Sequence, residues 1–186
     1  MRWALPYPNV KKDMYSVGIG YAGAIARINE LTSNGHHAEA LVTSVFTVEK
    51  TLRRTLRQLI VSAGFRSTIS EKIVKDLRGL DSIKKAWEFY DPSHRLLPDV
   101  VGNAEWKKFQ DAATMRNKLI HGERVYKLDD CQRHAADVLA ALDRVKAILD
   151  CEYGYSGWER LRIRKTSRLY IEPLHKETQG SSSRTS

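Results

Sequence analysis

No stretch of this chain approaches the ~20 consecutive apolar residues that a membrane-spanning helix needs, so no membrane partner is expected. Cysteine is nearly absent, with two in 186 residues. Cys131 and Cys151 fall at opposite ends of one expected helix, and ~20 helical residues hold their ends about 30 Å apart. That distance is beyond disulfide reach. With no disulfide framework, and no apolar leader core in Met-Arg-Trp-Ala-Leu-Pro-Tyr-Pro, the expected compartment is a reducing cytoplasm. Alternating polar and apolar residues are missing before residue 160, which excludes a β-sheet body. Metal-ligand spacing is missing too: His36 and His37 are adjacent rather than one turn apart, and neither cysteine has a close partner. Neither a metal nor another cofactor is expected. Acidic residues are the minority, 22 against 31 Lys and Arg, for a net charge of +9. Such an excess favours a polyanionic partner without specifying any chemistry.

What is present is helical periodicity. Hydrophobic residues at 42% and charged residues at 28% are ordinary for a globular chain. Residues 1–15 read as an N-terminal arm rich in aromatics and proline. A helix is expected from Ser16 to Leu31, weakened by Gly18, Gly20 and Gly23 and closed by Asn34-Gly35. The longest helix spans His37 to Ser62, where Leu41, Val45, Val48, Leu52, Leu56 and Leu59 form a near-heptad seam. On its flanks Glu49, Lys50, Arg53, Arg54 and Arg57 read as a solvated face with i,i+4 pairs such as Glu49–Arg53, or one or two of them lie beside the helix that carries Arg116 and His121. Thr68-x-x-Glu71 is a capping-box signature opening another helix. Ser82 to Tyr90 carries Ile83, Trp87 and Tyr90 on one side. Asp91 to Gly102, broken by Pro92 and Pro98, reads as a loop. A last long helix runs from about Asp130 to Cys151, with Asp129 and Gln132 placed to cap it and Val138, Leu142, Val145 and Leu149 as its buried stripe.

Between these lies Met115-Arg116-Asn117-Lys118-Leu119-Ile120-His121-Gly122-Glu123. Trp106, Phe109, Ala113, Asn117 and Ile120 recur at three- and four-residue steps, so the segment reads as the end of a helix. Gly102-Asn103 supplies its start and Gly122 its left-handed stop. Arg116 and His121 then flank the apolar stripe. An Arg…His spacing alone occurs by chance in an arginine-rich chain; Arg168…His175 is a second instance, but it crosses Pro173 and has no helix to fix it. After Gly154, Arg160, Arg162, Arg164, Lys165 and Arg168 alternate with Leu, Ile and Tyr. This stretch suits a phosphate backbone with stacked bases, or equally a basic arm lying on the protein's own surface. Ile163 to Ile171 reads as a strand or as an arm that orders on a partner, and residues 177–186 have the composition of a disordered tail.

The arrangement resembles the HEPN superfamily, whose motif is Arg, four to six residues, then His, often with a polar residue directly after the Arg. Here these are Arg116, Asn117 and His121, at the end of the penultimate long helix of an expected all-α, up-and-down bundle of four to six helices. The resemblance covers residues 16–152, leaving the arm and a basic extension, 153–186, outside it. It implies a homodimer with facing Arg/His pairs and, in many members, a metal-independent endoribonuclease of the toxin or anti-phage effector type. Others are non-catalytic modules that dimerise or bind RNA or nucleotide. Toxin members imply an antitoxin or regulatory partner. In one subset, neutralised by a nucleotidyltransferase, Tyr stands two residues after the His; here that position is Glu123, and the first Tyr is Tyr126. An acidic residue on an earlier helix supports the site in some members, and Glu49 is its counterpart. Arg116, Asn117 and His121 are thus the expected catalytic residues. Arg53, Arg57, Lys118, Arg160, Arg162, Arg164, Lys165 and Arg168 are the expected RNA contacts.

Chemistry agrees with that expectation. RNA carries its own nucleophile, the 2′-hydroxyl, so cleavage needs a base, an acid and a cation at phosphorus. An imidazole can serve as base or acid, and a guanidinium holds a phosphate oxygen without ever losing its proton.

Overall fold

The computed structural model describes residues 20–169, and among them the protein is all-α, with seven helices and no strand. In order these are α1 (Tyr21–Ser33), α2 (His37–Ser62), α3 (Ser67–Asp76), α4 (Gly79–Tyr90), α5 (Leu97–Val101), α6 (Asn103–Ile120) and α7 (Leu128–Tyr153). The N-terminal arm, residues 16–19, the last two residues of the Ile163–Ile171 segment, His175 and the tail lie outside the described residues.

α2 is the central element. It packs against α1, α3, α4, α6 and α7, and every member of the expected seam from Leu41 to Leu59 is buried. A second set of buried positions runs beside the seam: Ser44, Thr47, Thr51 and Thr55. Each hydroxyl in this set donates to a carbonyl one turn back, which satisfies a polar group inside the core without a partner from another helix. α7 lies along α2 and contributes Ala135, Val138, Leu142, Val145 and Leu149.

Several local expectations change. Asp91 to Gly102 is not all loop, because Leu97–Val101 forms a helical turn. Pro98 sits in its first turn, where a missing N–H costs nothing. The Thr68–Glu71 capping box does not form: α3 begins at Ser67 after an extended Arg66, with no side-chain cap. Ser67 Oγ instead accepts from the Arg164 amide at 2.7 Å, and Glu71 pairs with Arg57. α7 likewise begins after Lys127 without a side-chain cap from Asp129. α4 starts at Gly79, three residues before the expected Ser82.

The buried stripe of α6 also departs from expectation. Its buried residues are Trp106, Phe109, Ala112 and Met115, while Asn117 and Ile120 are exposed. Each three-residue step advances ~300°, falling about 60° short of a full turn, so a stripe kept to threes winds around the helix. By the last turn it has moved away from Asn117 and Ile120. Arg116 and His121 therefore do not flank one apolar stripe; Arg116 sits at its buried edge and His121 faces solvent.

The described part of the basic extension, 154–169, is a strap over α2 and α3. Trp158 Nε1 donates to Thr51 Oγ1 at 3.0 Å, and its ring receives Lys50 and Arg54. At Gly157, with φ of 89°, a Cβ would lie 2.6 Å from the Thr51 carbonyl oxygen, so only glycine allows this approach. Further on, the Arg162 amide donates to Gln58, the Ser67 amide to the Arg164 carbonyl, and the Arg168 amide to the Gly64 carbonyl.

Candidate functional site

On α2, Phe46 and Glu49 are one turn apart and both meet Arg116 of α6. The Arg116 guanidinium donates to Glu49 Oε1 and lies 5.0 Å from the Phe46 ring centroid. The pair is mostly buried, with 11% and 13% of the Arg116 and Glu49 side chains exposed. Glu49 thus pairs across helices rather than with Arg53 along its own. Arg116 Nε is buried with no hydrogen-bond partner among the described residues. A guanidinium has five N–H donors, and Glu49 engages one of them.

Arg116 also forms part of the wall of a cavity of about 420 Å³. Glu49 contributes from α2, Gln110, Thr114 and Asn117 from α6, and Arg78 to Asp81 from the start of α4. His121 is not in this wall. It is the exposed residue closing α6, its amide donating to the Asn117 carbonyl at 3.0 Å, and Gly122 follows at φ of 67°, the left-handed stop expected of it. Five residues place His121 ~7.5 Å along the axis from Arg116 and ~140° around it, while Asn117 and His121, four apart, stack on nearly one face. Lys118 is half-buried beside them. Ile120, Val125 and Leu128 are exposed around the helix end, as is Phe46 on α2.

Apart from Lys118, the expected RNA contacts divide into two groups. Arg53 donates to the carbonyls of Val74 and Leu77, closing the end of α3, and Arg57 pairs with Glu71 at 3.0 Å. Both cations are already engaged within the fold. On the strap, Arg160, Arg162, Lys165 and Arg168 are exposed and Arg164 is half-buried; none of the five enters an ion pair among the described residues. The backbone is pinned; Arg160, Arg162, Lys165 and Arg168 are open to solvent, while the Arg164 guanidinium lies back beside Gly64. Neither this group nor the residues of the cavity forms a cluster of three or more His, Cys, Asp and Glu, and no such cluster occurs elsewhere among the described residues.

A second arginine–carboxylate centre escaped sequence reading. Asp91, fully buried at the end of α4, accepts from the Ser93 and Arg95 amides, the Arg95 guanidinium and the Tyr153 hydroxyl. Burial by itself would raise its pKa, but these hydrogen bonds prevail and bring it down to about 2. Tyr153 is raised in turn, by burial and by Asp91. Asp91-Pro92 looked only like a loop start; Asp followed closely by an Arg is the one local hint of the network.

No helix among the described residues is long and apolar enough to cross a membrane. Comparison of the chain with protein-family models, with curated proteins and with solved structures finds no match.

Proposed function

We propose that this chain is a HEPN-type endoribonuclease that cuts RNA without a metal, with Arg116, Asn117 and His121 as its catalytic residues. The observation that carries the reading is the state of Arg116. It is a largely buried cation with donors in reserve, at the wall of a polar cavity, with Asn117 beside it and His121 one turn beyond. In the reaction an imidazole takes the proton of the 2′-hydroxyl, whose oxygen attacks the adjacent phosphorus. The bond from phosphorus to the 5′-oxygen breaks, and a second imidazole protonates that oxygen. A 2′,3′-cyclic phosphate and a 5′-hydroxyl result. Arg116 holds a nonbridging oxygen as charge builds there, and Asn117 orients the phosphate or the imidazole.

Two imidazoles call for two copies of the chain. The ~140° between Arg116 and His121 on one helix also favours a site completed across a two-fold axis. Exposed Phe46, Ile120, Val125 and Leu128 beside the motif offer apolar surface for that contact. The outward cations of the strap suit the RNA backbone. A role as a toxin or anti-phage effector, with an antitoxin or regulatory partner, follows from the family resemblance.

Purified protein, labelled RNA and chelator test the proposal. Wild type should yield cyclic-phosphate ends, and His121→Ala should be slower by about 10²–10⁴-fold. Cleavage that requires a divalent metal would refute the mechanism. Mixing wild type with an Arg116→Ala/His121→Ala chain should give heterodimers with far less than half of wild-type activity; activity proportional to the wild-type chains would show that each copy cuts alone. A second reading, a non-catalytic RNA- or nucleotide-binding module, is favoured by the Glu49 contact, which already partly neutralises Arg116.

A further inference from the structure

The cavity beside Arg116 is larger than one phosphate needs. At about 420 Å³ it falls in the lower part of the ~300–1,000 Å³ range of small-ligand sites. Its walls are unlike a phosphate clamp. Two arginines, Arg78 and Arg116, are matched by two carboxylates, Glu49 and Asp81. A bare polyanion gains little from such a balanced surface. A polar ring carrying a single phosphate fits it better.

On α6, Gln110, Thr114 and Asn117 stand at i, i+4 and i+7, a ladder of amide, hydroxyl and amide about 10 Å long on one helix face. None of the three side chains hydrogen-bonds to another group among the described residues. Amides offer a donor and an acceptor side by side, as needed to match the edge of a nucleobase. At the opposite wall α4 begins without a side-chain cap, so its first N–H groups keep their capacity for an anion. Gly79, with φ of 71°, has no atom within 4 Å of where a Cβ would be, and the backbone there is open to a ligand. Arg78, exposed, immediately precedes it.

The geometry points to a seat for one ribonucleotide unit flanking the scissile phosphate: Gln110 and Thr114 read its base, and Arg78 with the start of α4 receives its phosphate. This rests on reading Arg116 as the group that holds the scissile phosphate, and it predicts that cleavage depends on the base beside the cut.

Binding of AMP, GMP, CMP and UMP to the full chain, measured by calorimetry with inorganic phosphate as a fifth probe, tests the seat separately from catalysis. One nucleotide should bind at least about tenfold more tightly than the other three and than phosphate. Gln110→Ala/Thr114→Val should reduce that preference to within about threefold. Arg78→Ala should weaken all four nucleotides together, by about tenfold. Gln110→Glu keeps the side-chain shape but removes the amide donors, and should change which base is preferred even if the double variant folds poorly. Equal affinities for the four, affinities no better than that of phosphate, or no binding at millimolar concentration would overturn the seat. An unchanged preference in the Gln110 variants would do so as well. Base-selective binding without any RNA cleavage would keep the seat and remove the nuclease reading; cleavage at every base alike would do the reverse.

Discussion

Two arginine–carboxylate pairs in this molecule look alike on paper and differ in what surrounds them. At Arg95–Asp91 the carboxylate is fully buried and receives hydrogen bonds from two amides, a guanidinium and a tyrosine hydroxyl. Arg95 reaches a second carboxylate, Glu152, at 2.9 Å. At Arg116–Glu49 one contact joins the pair, one guanidinium nitrogen is buried without a partner, and a cavity opens beside it. The first is saturated and can only hold the fold. The second has hydrogen-bonding capacity to spare. A buried ion pair is therefore not evidence of function in itself; unused hydrogen-bonding capacity beside a cavity is the more informative feature.

The largest expected effect separates the two pairs outright. On the proposed function, Arg116→Ala should cost about 10²–10⁴-fold in RNA cleavage, with the protein still folded and less stable by about 1–3 kcal/mol because the mostly buried Glu49 loses its partner. Asp91→Ala should instead destabilise the fold by about 3 kcal/mol, because it takes the acceptor away from the Tyr153 hydroxyl and from the Ser93 and Arg95 amides. Chemical denaturation checks this, and an Asp91→Ala protein as stable as wild type would remove the distinction.

A smaller effect appears in acid. With its folded pKa brought down to about 2, below the ordinary carboxylate value, Asp91 stabilises the fold at pH above about 4. That contribution drains away as pH falls from about 4 toward 2, when the folded form must take up the proton. Denaturation midpoints across this window should fall for wild type and stay flatter for Asp91→Asn.

The smallest effect is expected at the open pair. Glu49→Gln keeps a hydrogen-bond acceptor for Arg116 and should cost only about 1 kcal/mol of stability. It also leaves the guanidinium less neutralised, so affinity for RNA in a filter-binding assay should rise rather than fall. A drop in affinity would mean that Glu49 positions Arg116 for its ligand rather than competing with it.

How far these features could be read from sequence depended on how local they are. The bounds of α2 were legible because its seam is long and regular, and Gly122 could be assigned because a left-handed stop needs little context. The pairing of Glu49 with Arg116 joins residues 67 apart, and no periodicity on either helix encodes it. Asp91 and Tyr153 are 62 apart, and their contact depends on how α7 lies against the end of α4. The winding stripe of α6 was missed because steps of three and of four are both present in the sequence, and only packing decides between them. The cavity needed three helices at once. Its traces in sequence, Arg78-Gly79 and the Gln110, Thr114, Asn117 spacing, carry no meaning until α4 is set against α6.

The strap changes what counts as the shortest workable fragment. A chain ending at Tyr153, the last residue of α7, would leave Thr51 and Gln58 of α2 without the segment that lies across them. Because that segment is translated after all seven helices, α2 waits uncovered on one side until the residues beyond α7 have been made. Gly157 then acts as the fitting point, the place where a late-arriving backbone must touch Thr51 with no side chain between. Secretion tags, fusion partners or proteases that act near this point would reach the central helix of the molecule from its C-terminal side, far in sequence from the helix they disturb.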